Sequence, residues 1–159
     1  MSRSDILVVC YSRTGATRKL AEAIALAMHA DLEEIVETRG SRAGIFGYLR
    51  SLLDTAQRRA APIEPSRKAP SSYRLVIVGS PVWAGSISSP VRSYLSANRE
   101  RLNAIAFFGT YGGRGSESMF AQMQVLVGKT PRACCAVKAA DVASGAYSAA
   151  VRRFVDALT

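Results

Sequence analysis

A chain of 159 residues with 48% hydrophobic and 21% charged residues can bury one substantial core and is not composed like a disordered segment. Its net charge of +9 admits anionic partners, but the arginines of residues 39–70 lack aromatics interleaved in the pattern of a base-stacking surface, so nucleic acid is not an expected partner. The apolar run near the start holds only about six residues, too few for a signal-peptide core or a membrane span, so a cytoplasmic, single-domain protein over residues 1–159 is expected, with no transmembrane segment.

Residues 5–11 read as a continuous apolar strand and 17–29 as an Ala- and Leu-rich helix. A weaker, alternating strand follows over 31–37. Residues 44–59 place Ile45, Leu49, Leu52, Leu53 and Ala56 at helical spacing. A second buried strand spans 74–79, and a short helix spans 90–98 with Pro90 in its first turn. The remaining elements are a strand over 103–109, a helix over 116–127, a strand over 133–138 and a closing helix over 147–158. Five strands alternating with five helices imply a parallel sheet covered on both faces. The continuous apolar runs of the first, third and fourth strands suit central positions. In such a sheet, ligands bind beyond the carboxyl ends of the strands, where the winding direction reverses.

Three loops at those ends carry the chemistry. The first, Ser12-Arg13-Thr14-Gly15-Ala16-Thr17, joins a strand to a helix N-terminus. Helix N-termini offer unpaired N–H groups and partial positive charge, which suit a phosphate. Ser12, Thr14 and Thr17 add hydroxyls, and Gly15 allows close backbone approach. Helix capping by Thr14, with the rest as plain turn, is the competing explanation. Neither G-x-x-x-x-G-K-[ST] nor G-x-G-x-x-G occurs here. The second loop, Ser80-Pro81-Val82-Trp83-Ala84-Gly85-Ser86, carries the only tryptophan, which is expected to be exposed toward a flat aromatic ligand. The third, Thr110-Tyr111-Gly112-Gly113-Arg114-Gly115-Ser116, offers another aromatic followed by glycines. Together the loops describe a ligand with one anionic and one planar end.

On these motifs the chain resembles the flavodoxin family over essentially its whole length. The S/T-x-T-G-x-T pattern at Ser12, Thr14, Gly15 and Thr17, the stretch Gly79-Ser80-Pro81-Val82-Trp83-Ala84-Gly85, and Thr110-Tyr111-Gly112-Gly113 carry the resemblance. It implies a flavodoxin-like, doubly wound α/β fold of five parallel strands in the order 2-1-3-4-5, of the short-chain type. It also implies FMN, with the phosphate on Ser12, Arg13, Thr14, Gly15, Ala16 and Thr17. The isoalloxazine would then lie between Pro81, Val82, Trp83, Ala84 and Gly85 on one side and Thr110, Tyr111, Gly112 and Gly113 on the other. The implied function is electron transfer through bound FMN, as an oxidoreductase of the NAD(P)H:quinone type acting on a partner protein or a quinone-like acceptor. Two alternatives stay open: a one-electron carrier independent of NAD(P)H, and a cofactor-free basic binding module. Acidic flavodoxins crowd carboxylates around the flavin, whereas this chain has Arg13 and Arg114 in its loops and no carboxylate between Pro81 and Pro90.

Other chemistries on this architecture lack their residues. A cysteine phosphatase needs C-x5-R, and the sixth residue after Cys10 is Ala16. A phosphorelay receiver needs an aspartate where Ser80 and Pro81 stand. Cys10, Cys134 and Cys135 show neither metal spacing nor an even disulfide set, and the adjacent pair on a strand should face opposite ways. The sole histidine, His29, ends a helix, where a structural role is expected.

Overall fold

The computed structural model describes residues 4–38 and 61–159. The amphipathic segment at 44–59 lies outside the described residues, as does most of the basic stretch 39–70. The elements are β1 (Ile6–Cys10), α1 (Ala16–Met28), β2 (Asp31–Glu34), β3 (Leu75–Trp83), β4 (Ser86–Ile87), α2 (Ser89–Asn98), β5 (Ala104–Tyr111), α3 (Ser116–Val127), β6 (Cys134–Lys138), α4 (Ala139–Ser144) and α5 (Ser148–Leu158). Short 3₁₀ turns at Pro70–Ser72 and Arg99–Arg101 lead into β3 and β5.

Five strands pair in parallel in the order β2-β1-β3-β5-β6, which is the predicted order once the two-residue strand β4 is set aside. The three strands with continuous apolar runs are the central three. Their side chains alternate between two cores, as the pleat requires. Ile6, Val8 and Cys10 of β1 join Leu20 and Ile24 of α1 and Phe154 of α5 on one face. Leu7 and Val9 join Val91 and Leu95 of α2 and Met119 and Met123 of α3 on the other. Both faces of β1 are therefore dry, and all five of its residues are buried. Edge strand β6 buries only Cys135 and Val137 and leaves Cys134 exposed, so the adjacent cysteines do face opposite ways.

Several boundaries differ from the periodicity, among them β5, which was predicted to stop at 109 and continues to Tyr111. The strand predicted to stop at Gly79 continues to Trp83, because Ala84 and Gly85 form a two-residue turn at φ 49° and 72° that folds β4 back antiparallel. The strand predicted through 37 ends at Glu34. The connector before the last helix contains α4, closed by Gly145 at φ 85°. His29 closes α1 in the left-handed conformation, φ 51°, an end position as expected.

The chain runs outward from β1 to β2, then returns across β1 to β3, so the winding reverses between β1 and β3. The helices following those strands leave toward opposite faces. β3 pairs with β1 only as far as Gly79↔Cys10, yet stays with β5 up to Pro81↔Thr110. Beyond Gly79 the backbone of β3 parts from β1. A crevice between the carboxyl ends of these strands is the topological consequence.

Candidate functional site

Helix α1 follows β1, one of the strands at this switch point. Gly15 occupies its N-cap at φ 101°, and no side chain caps the helix. Thr14 is exposed and does not cap the helix, so that part of the capping explanation fails. A residue with a Cβ is strained at that φ, which accounts for glycine at this position. The Gly15 N–H donates to Ser12 Oγ at 3.0 Å, a local turn bond. Helical geometry leaves the N–H groups of Ala16, Thr17 and Arg18 without intrahelical carbonyl partners. Arg13 is half-buried beside them.

Thr17 is 2% exposed and Thr110, near the end of β5, is 4% exposed. Their hydroxyl oxygens lie 2.7 Å apart, joining the first loop to the third. One hydrogen bond between two hydroxyls uses one proton. The accepting hydroxyl therefore keeps its own proton for another acceptor.

The second loop meets Tyr11, the residue just before the first loop, through aromatic rings. Tyr11 and Trp83 lie edge to face, their centroids 5.5 Å apart and their planes at 87°. Trp83 was expected to be exposed and is not. It is 7% exposed and belongs to the core on the α2–α3 face. Alternation along the β3 extension accounts for this, since the side chain of Trp83 points inward while Ala84 at the turn is exposed. Tyr11 in turn donates its hydroxyl to Glu37 Oε1 at 2.6 Å. The second and third loops touch through backbone. A Cβ built on Gly115, itself at φ 105°, would stand 2.9 Å from Gly85 Cα and 3.0 Å from Val82 Cγ1. Only glycine permits that approach.

Tyr111, the last residue of β5, is half-buried and is the less enclosed of the two loop aromatics. Gly112 and Gly113 are exposed, and a Cβ on either would meet open space, as it would on Gly15 and Gly85. Pro81 and Val82 are half-buried, and Ala16 is half-buried in the first turn of α1. The three loops named from sequence are thus joined: first to third by Thr17–Thr110, second to third by Gly85–Gly115, and the second to the residue just before the first by Tyr11–Trp83. Glu34 and Glu37, which motif reading missed, stand beside the first loop. Glu34 pairs in register with Cys10 and lies 3.7 Å from Arg18 Nη1. No local signal could have found them, because they arrive from the β2 side of the sheet.

Cys10 sits beneath the first loop and is fully buried. Burial first, and the Glu34 carboxylate second, push its thiol up to about 12, against a smaller opposing effect of Arg18. A neutral, enclosed thiol is not a nucleophile, which agrees with the missing C-x5-R arginine. In the native protein at mildly alkaline pH, a thiol reagent is expected to modify Cys134 alone, and all three cysteines after denaturation. Rapid native modification of Cys10 would contradict this burial.

No protein-family model matches the chain, and no curated protein sequence matches it. Solved structures do. A flavoprotein from Lactobacillus acidophilus in complex with FMN superposes with a TM-score of 0.70 at 21% identity, covering 90% of this chain and 98% of that one. A flavodoxin from the domain Archaea gives 0.51 at 19% identity, covering 96% and 95%. The two-electron reduced flavodoxin of Megasphaera elsdenii gives 0.52 at 19% identity, covering 83% and 85%. Among the described residues, no helix is long and apolar enough to cross a membrane. Strand order, switch point and these superpositions agree: the chain has the flavodoxin-like α/β fold.

Proposed function

We propose that this protein binds FMN at the carboxyl ends of β1, β3 and β5 and works as a redox protein, an oxidoreductase passing electrons to a quinone-like acceptor or a partner protein, with NAD(P)H as a candidate donor. The observation that carries the reading is the buried Thr17–Thr110 hydroxyl pair at the opening of α1. A buried hydroxyl with an unspent proton, beside the open N–H groups of a helix terminus, is a donor set suited to an anion such as a phosphate. The fold shared with a flavoprotein crystallised with FMN supports the same assignment.

In this reading Ala16, Thr17 and Arg18 offer backbone N–H groups to the phosphate, with the hydroxyls of Thr14, Thr17 and Thr110 around it. Gly15 lets it approach. The hairpin residues from Pro81 to Gly85 form one wall for the ring, and Tyr111, Gly112 and Gly113 form the other. Trp83 supports its wall from behind. FMN, when bound, supplies the electron-accepting and electron-donating chemistry. Equilibrium dialysis tests the reading: saturable binding of one FMN per chain is expected, and no saturable binding would overturn it.

The charges of this chain should set the potential of the bound cofactor. Arg13 and Arg114 favour added negative charge nearby, while Glu34 and Glu37 oppose it. Arg114 is exposed, so solvent and salt screen it. Reversing its charge in Arg114→Glu is expected to lower the two-electron midpoint by roughly 40 mV at low salt and by less at high salt. A spectroelectrochemical titration at two ionic strengths measures this. A salt-independent shift, or one of opposite sign, would remove Arg114 from the site.

A further inference from the structure

Ser86, Gln122 and Arg92 form a polar cluster that the cofactor reading leaves unused. Ser86 is 8% exposed, and its Oγ donates to Gln122 Oε1 at 2.5 Å. Arg92 Nη2 donates to the same amide oxygen at 3.2 Å and lies 3.4 Å from Ser86 Oγ. Gln122 Nε2 donates onward to Ser118 Oγ at 3.3 Å. One oxygen on α3 therefore accepts from donors on two other elements, β4 and α2.

The hairpin this cluster holds is under strain. Ser86 pairs in register with Trp83, and between them Ala84 adopts φ 49°. A residue with a Cβ keeps that conformation only where its surroundings over-determine it. Trp83 packed on Tyr11 holds one side of the turn, and the Ser86 hydrogen bond holds the other. Gly115, the N-cap of α3, abuts Gly85 at the tip.

We infer that Gln122 and Arg92 are positioning residues, a latch that closes the hairpin onto α3 and so sets the ring-side wall of the cofactor site. The wall's role rests on the FMN reading; the latch itself does not. Removing the shared acceptor should release the hairpin while leaving the phosphate loop intact.

The test uses Gln122→Leu, which keeps volume but loses the acceptor, and Gln122→Glu, whose carboxylate still accepts from both donors. Trp83 is the only tryptophan, so its emission in the cofactor-free protein reports the hairpin directly. In Gln122→Leu the emission should shift red and become more accessible to acrylamide. FMN and riboflavin should both dissociate faster, by about five- to tenfold, as expected for one lost neutral hydrogen bond at the hairpin. Competition by inorganic phosphate should stay unchanged. Gln122→Glu should restore the unmodified emission and dissociation rate. Ser86→Ala removes the same contact from its other end and should reproduce the effect, even where Gln122→Leu fails to fold. Unmodified emission and dissociation rates in the folded Gln122→Leu and Ser86→Ala proteins would overturn the latch. So would a Gln122→Glu protein as defective as Gln122→Leu. A wild-type protein that binds no FMN would overturn the cofactor reading instead, and the emission of the cofactor-free variants would still decide the latch.

Discussion

FMN is expected to bind at least about a hundredfold more tightly than riboflavin, since two or more charge-assisted hydrogen bonds to the phosphate contribute roughly 1.5–3 kcal/mol each. The two ligands differ only in the phosphate, so their ratio isolates the phosphate contacts from everything that touches the ring. Thr17→Val is the sharpest variant. It keeps the shape of the side chain, removes one hydroxyl of the pair and leaves Thr110 as a buried hydroxyl without that partner. The discrimination should fall by about tenfold or more, as for one charge-assisted hydrogen bond, while riboflavin affinity changes little. Fluorescence titrations of both flavins against both proteins give the four numbers needed. Equal affinities in the unmodified protein would remove the phosphate account of residues 12–17.

Trp83→Ala is expected to lower the unfolding free energy by about 3–5 kcal/mol, the range for truncating a large buried aromatic. A typical domain has only about 5–15 kcal/mol in total, so the variant should be severely weakened. The burial of Trp83 and its edge-to-face contact with Tyr11 motivate this value. Part of the loss, about 0.5–1.5 kcal/mol, belongs to the ring–ring geometry. Trp83→Phe should therefore retain much of the stability. Urea denaturation of the cofactor-free proteins separates the cases. A loss under about 1 kcal/mol for Trp83→Ala would mean that the indole is not part of the core. Because that variant damages the fold, quenching of Trp83 emission on FMN binding is the better probe of its distance from the ring.

The layered fold was legible because burial leaves a linear trace. Strands covered on both faces need unbroken apolar runs, and residues 6–10 and 75–78 supply them, so β1 and β3 could be placed at the centre of the sheet before any contact was known. The helix over residues 116–127 forms over the predicted span. The hairpin after Gly79 was missed because its turn uses Ala84 rather than the usual Asn or Asp before glycine, and that φ is imposed by packing.

The loops themselves were also legible, since strand ends, glycines and clustered hydroxyls are local features. What each residue does there was not. The sequence by itself determined which three loops sit at the carboxyl ends of central strands and which residue types they carry. Only the tertiary structure decided that Thr17 meets Thr110 across 93 positions, that Trp83 turns inward onto Tyr11, and that Gln122 reaches Ser86. Pairings of that kind depend on which strands lie side by side, and a hydroxyl or an indole carries no record of its partner until the sheet has brought the two together.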